Sequence, residues 1–222
     1  MSDSTEQPYR IVLRPIANPL PIGMLALLVS TSSVAALQLG LVPTDQSQVV
    51  GRAVVALALA LQLPGAYLGF QARDPAAGTG MAVLGSTWLV VGLTLAFGTP
   101  GEPAPGLGML LLAAAAALIV PIAASIAKPV TVLVLGTSLV RFAVTGVAQL
   151  TGSAGWETAA GVLGLALGAV ALYAAMAFEL EDVHQRSVLP LGRTGPAHHA
   201  MEGGMREQLS GIENEAGVRQ QL

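Results

Sequence analysis

The feature that most constrains this chain is a succession of long apolar runs almost free of ionised side chains. Between Asp74 and Lys128 only Glu102 is charged, and between Lys128 and Glu157 only Arg141 is. A bilayer core about 30 Å thick is crossed by roughly 20 apolar residues in a helix, and in hydrocarbon the backbone N–H and C=O groups must be satisfied within the segment. The chain offers six such runs, at about residues 19–41, 49–70, 78–97, 106–127, 129–150 and 156–178. Their apolar residues are continuous rather than alternating, which argues against a transmembrane β-barrel. The expected fold is an all-α integral membrane protein of six transmembrane helices.

Composition agrees: 53% of the 222 residues are hydrophobic and 10% charged, against about 25% charged in a soluble domain. Cysteine is absent, which removes disulfides, thiolate metal sites and thiol catalysis. His184, His198 and His199 fall outside the apolar runs and are too dispersed for a closed metal site. No Ser/His/Asp set or paired acids occur inside the runs, so an enzyme is not expected, and neither is a cofactor or metal. Nothing points to a nucleic-acid partner. The opening MSDSTEQPYR is polar and contains acids, so no cleavable signal peptide is expected, and the first apolar run is long enough to remain as a helix.

Proline and glycine punctuate the gaps at Asn18-Pro19, Asp74-Pro75, Thr99-Pro100-Gly101 and Lys128-Pro129. Asn18 is placed to cap the first helix with Pro19 at its first position. Basic residues collect on cytoplasmic loops. With the N-terminus inside, Arg10, Arg14, Arg73, Lys128, Arg186, Arg193, Arg206 and Arg219 all become cytoplasmic, and Arg52 alone lies near the outer face. Both termini are therefore expected inside. The expected organisation is a cytoplasmic segment at 1–17, a six-helix domain at 18–192 and a polar, flexible tail at 193–222. A short internal echo pairs Gly85-Ser86-Thr87-Trp88 with Gly152-Ser153-Ala154-Gly155-Trp156, the kind of trace that inverted repeats leave in transporters.

Asn18-Pro19-Leu20-Pro21-Ile22-Gly23 resembles the N-P-x-P-[LI]-G signature of the acetate uptake transporter family, which includes the succinate-acetate permeases. Two further elements occur in the same order: Gly85-Ser86-Thr87-Trp88-Leu89 is similar to that family's G-S-[FT]-W-L, and Arg186-Ser187-Val188-Leu189-Pro190-Leu191-Gly192 to its R-[ST]-V-L-P-[IL]-G. The resemblance spans about residues 18–192.

It implies a multi-pass protein of the plasma or bacterial inner membrane, assembled as a homo-oligomer described as hexameric. Each protomer would then have its own path for acetate or a related small carboxylate, by an anion channel or proton-coupled carrier mechanism. It also implies an apolar constriction whose positions become Leu27, Leu84 and Ser138, with Leu139 equally open because the fifth helix carries no motif to fix its register. Such a neck gates by dewetting, while polar groups on either side replace part of the hydration a carboxylate loses.

This chain departs from the family pattern at Ala35 and Leu37, where Asn and His are frequent, at Gly69, where an acid ends the second helix, and at Phe178, where a glutamate is expected and Glu179 lies beside it. The alternative reading is a non-transporting membrane subunit that keeps the transporter fold.

Arg141 lies near the middle of the fifth run, where an unpaired cation costs about 2.5 kcal/mol or much more. It is read either as an anion site in the path or as half of a structural pair. Gln62, Ser86 and Thr87 are the other candidate anion-binding residues, with Gln62 equally open as glue between helices. Pro64 and Pro121 fall inside helices and either kink them or line a cavity. Small residues along the sixth run, Gly161, Gly164 and Gly168 among them, suit close packing, and Trp88 and Trp156 suit interfacial anchors.

Overall fold

The structure, a computed structural model, describes residues 16–184 and 186–194. Six helices are long and apolar enough to cross a membrane: α1 Leu20–Gln38, α2 Thr44–Gln71, α3 Pro75–Phe97, α4 Pro105–Ala124, α5 Pro129–Thr151 and α6 Ala154–His184. No strand occurs among the described residues.

The helix ends follow local chemistry. Pro75, Pro105 and Pro129 each occupy a first helical position, where the missing N–H costs nothing. Asp74 caps α3 by accepting from the Ala77 N–H at 3.1 Å. Asn18 accepts from the Leu20 N–H at 3.0 Å, so it ties down the start of α1 as expected, although the helix begins one residue past Pro19. Gly152 ends α5 at φ +63°, a left-handed conformation that glycine adopts without Cβ strain.

Proline shapes α2 from within. Pro64 has no N–H to continue the ladder, and the turn before it, Ala58–Gln62, widens to a π turn in which the Leu63 N–H reaches back to the Ala58 carbonyl. The sixth helix runs beyond the expected apolar segment, carrying Glu179, Glu181 and Asp182 past the last apolar turn.

The helices form a ring. α1 packs on α6, α6 on α5, α5 on α4, α4 on α3 and α3 on α2, and contacts between α1 and the π turn of α2 close it. Two crossings are tight because glycine faces glycine. A Cβ on Gly51 would stand 2.6 Å from the Gly92 carbonyl oxygen, and Cβ atoms on Gly108 or Gly146 would each stand 2.9 Å from the other's carbonyl oxygen. Backbones approach that closely only where the side chain is absent. Leu27, Leu84, Trp88, Leu111, Leu118, Phe142 and Leu167 fill the interior. Val29, Leu59, Met109, Val120, Leu133 and Leu172 point outward. A helix apolar on both faces suits lipid outside and protein inside.

Ion pairs fasten one end of the bundle. Lys128, just before α5, binds Asp74 at 2.5 Å, joining the α2–α3 and α4–α5 turns. Glu181 is buried near the end of α6 and pairs with Arg193 at 2.6 Å while accepting from the Ser187 hydroxyl at 3.2 Å. The Tyr173 hydroxyl donates to the Pro190 carbonyl at 2.7 Å, and the Thr194 N–H to that of Ala127 at 3.2 Å. Residues 193 and 194, expected in a free tail, are thus tied to the bundle. The rest of that tail, from residue 195, and most of the expected N-terminal segment lie outside the described residues.

Candidate functional site

Arg141 falls midway along α5, and the ring of helices turns it inward, leaving 1% of it exposed. Its Nη2 donates to the Gln38 Oε1 at 3.3 Å, and its guanidinium carbon lies 5.3 Å from the centre of the Trp88 ring. Nη1 has no hydrogen-bond partner among the described residues. The ion pairs found among the described residues, Lys128 with Asp74 and Arg193 with Glu181, leave Arg141 out. A carboxamide and an indole face thus stand where a carboxylate would normally compensate a buried cation.

The room for this side chain comes from α6. A Cβ built on Gly164 would overlap Nη1 of Arg141 and crowd Ala35 of α1. The Thr31 hydroxyl donates to the Gly164 carbonyl at 3.2 Å, which holds α1 and α6 together at this level. The glycine read as a packing residue therefore also creates the place the guanidinium occupies.

Arg141 lines a small cavity with Trp88, Thr145, Val34, Val91, Leu111 and Phe142. Three of these residues carry a buried polar atom without a partner among the described residues: Arg141 Nη1, Trp88 Nε1 and Thr145 Oγ1. The cavity has room for about one water molecule.

The remaining candidates are distributed as follows. Gln62 sits in the π turn, 1% exposed, with neither amide atom partnered among the described residues. Thr87 is buried but spends its hydroxyl on the Val83 carbonyl at 2.7 Å, and Ser86 faces outward. Leu27 and Leu84 are fully buried in the core. Ser138 is buried with its hydroxyl on the Val134 carbonyl at 2.8 Å, and Leu139, next to it, is half-buried against the core. Of the signature residues, Pro19, Pro21 and Gly23 are buried and Asn18 half-buried; Gly23 lies against the Met81 side chain of α3.

Trp88 corrects one expectation: it is 2% exposed, an interior residue rather than an interfacial anchor, whereas Trp156 is exposed at the start of α6. The two tryptophan elements therefore occupy different places, one in the middle of a helix and one at a helix start, so the echo between them does not map onto equivalent positions. Phe178 is buried and Glu179 exposed, and the buried acid of α6 is Glu181. Thr145 was not singled out in the sequence, although its spacing of four from Arg141 puts both on one helical face. Gln38, at the end of α1, gave no signal of its own.

No protein-family model matches the chain, and no curated protein does. Among solved structures, the chain superposes on the bacterial acetate channel SatP with a TM-score of 0.70, at 24% identity, over 80% of this chain and 99% of that one. The fold is shared with an acetate channel. The superposition takes in nearly the whole of SatP.

Proposed function

We propose that this chain is a member of the acetate uptake transporter family and moves acetate or a similar small carboxylate across the membrane. The observation that carries the reading is Arg141: a buried guanidinium inside the helix bundle, with neither an acid paired to it nor a partner for its Nη1 among the described residues. A permeating carboxylate supplies the missing negative charge and acceptors. The fold shared with SatP and the three ordered sequence elements support the same reading. Leu27, Leu84 and Ser138 or Leu139 form the dewetting neck in this proposal, with Gln62 offering an amide to the solute. The protomers assemble as a homo-hexamer in the plasma or inner membrane, with both termini cytoplasmic.

The test is uptake of radiolabelled acetate into liposomes holding the purified protein, with and without an imposed pH gradient, for wild type and Arg141→Ala. Protein-dependent uptake that falls in the variant supports a carboxylate path past Arg141. Acceleration by the gradient indicates proton coupling, and indifference to it a channel. Folded protein with no uptake above empty liposomes overturns the proposal in favour of a non-transporting subunit.

A further inference from the structure

Helices α1, α3 and α5 cross the bundle in the same direction, since consecutive spans alternate. On one helix, residues three, four and seven apart share a face. In α1, Val34 lies seven residues past Leu27; in α3, Trp88 and Val91 lie four and seven past Leu84; in α5, Arg141 and Thr145 lie three and seven past Ser138. These later residues meet around one small cavity. The spacing holds in the other direction too. Gly23, four before Leu27, lies against Met81, three before Leu84, and Gly80, four before Leu84, lies against Leu135, three before Ser138. The three helices are therefore in register: Leu27, Leu84 and Ser138 share one level, and Arg141 stands about 5 Å past it, one helical turn.

The two sides of that level differ. Past it come the Arg141 charge, the Thr145 hydroxyl and the Gln38 amide, which accepts from Arg141 at 3.3 Å. Before it the same three helices present Met24, Met81, Val134 and Leu135, all buried and apolar, and one turn further Leu20, Ala77 and Thr131. Two ion pairs at that end, Lys128 with Asp74 and Arg193 with Glu181, carry no net charge. Among the described residues, a buried cation without a paired acid thus stands on one side of the neck alone.

An anion entering from the Arg141 side meets a positive charge in low-dielectric surroundings, which draws it in and holds it. One entering from the other side leaves water for an apolar stretch with little to replace its hydration. The barrier to crossing therefore lies beyond Arg141, between the neck and the end of the bundle where α1, α3 and α5 begin. At equilibrium the two one-way fluxes balance whatever the profile. Under a voltage they do not, because most of the applied field falls between the Arg141 entrance and the barrier and acts on movement from that entrance.

We propose that Arg141 makes the path rectify, passing carboxylate as the ionised species and more readily from the Arg141 side. The inference rests on the transport reading, and with both termini cytoplasmic that side is the outer one, so inward movement is favoured. A carboxylate too wide for the neck then blocks from outside alone, since only that side attracts and holds it.

The experiment records acetate currents in patches excised from giant spheroplasts expressing the full chain, where orientation is that of the cell, with equal acetate on both sides and patches from non-expressing cells as background. With about two thirds of the field ahead of the barrier, inward anion current should exceed outward about threefold at opposite voltages of resting-potential size. Naphthoate should block from the outer side only. Arg141→Gln should give equal currents at both polarities and lose the block, while Arg141→Lys keeps both. Should Arg141→Gln fail to fold, the sidedness of naphthoate block in the wild type decides. Equal currents at both polarities, a larger outward anion current, block equal from both sides, or rectification retained in Arg141→Gln overturns the proposal. Radiolabelled acetate uptake without current also overturns it and leaves the transport reading standing. Folded protein giving neither current nor uptake overturns both.

Discussion

The guanidinium of Arg141 lies over the ring of Trp88 inside the bundle, its carbon 5.3 Å from the ring centre. In a desolvated setting such a cation–π contact contributes about 2 kcal/mol or more. Trp88→Phe keeps an aromatic face under the cation but removes the indole N–H, whereas Trp88→Ala removes both and leaves a void. Unfolding titrations in mixed micelles should show Trp88→Ala destabilised by about 3–5 kcal/mol and Trp88→Phe by clearly less. Equal losses would mean that the ring contributes bulk alone.

Gly164 is the complement of Arg141 on the facing helix. Gly164→Ala places a methyl group where Nη1 now lies, and overpacking of this kind costs about 1–3 kcal/mol. Acetate uptake that depends on Arg141 should fall with it. In the double variant Arg141→Ala/Gly164→Ala the stability penalty of the alanine should largely vanish, because the clashing group is gone. Additive penalties would show that Gly164 matters for another reason.

The glycine crossings make a contrasting prediction. In an ordinary helix Gly→Ala stabilises by up to about 1 kcal/mol, and Gly136, whose Cβ would meet nothing within 4 Å, should behave that way. Gly51→Ala and Gly146→Ala should do the reverse, since their methyl groups meet backbone of the neighbouring helix. The comparison of Gly136→Ala with Gly146→Ala by unfolding in micelles separates packing from propensity within the same helix.

Asp74 carries two duties, capping α3 and pairing with Lys128. Asp74→Asn keeps a capping oxygen and loses the charge, and a pair this exposed contributes about 0.2–1 kcal/mol. Asp74→Ala loses the cap as well, worth about 1 kcal/mol more. Thermal unfolding should rank wild type above Asp74→Asn and Asp74→Asn above Asp74→Ala. At high salt the first gap should shrink and the second persist, since screening weakens a charge pair and leaves a neutral hydrogen bond alone.

Much of the fold is legible in the amino-acid sequence. The spans were readable because hydrocarbon tolerates only self-satisfied apolar helices, and prolines such as Pro75 and Pro129 marked where each begins. Arg141 was readable as an anomaly because a lone cation in an apolar run is costly. The end of α6 was not, since Glu181 is carried beyond the apolar segment and buried by a partner, Arg193, that follows the helix. Trp88 was misplaced because an aromatic residue in an apolar run suits an interface as well as a core.

By itself, then, the sequence determined the class of solvent, the number of spans and the presence of one unexplained charge, all of which depend on local composition and spacing. Only the tertiary structure decided what that charge meets. The neighbours of Arg141 are Gln38, Trp88 and Gly164, drawn from α1, α3 and α6, together with Thr145 one turn along its own helix. Inward and outward faces are alike in apolarity in a membrane bundle, so periodicity does not reveal which residues turn inward. Their convergence is set by which helices touch and how closely, and that closeness rests on glycines whose role is to be absent side chains.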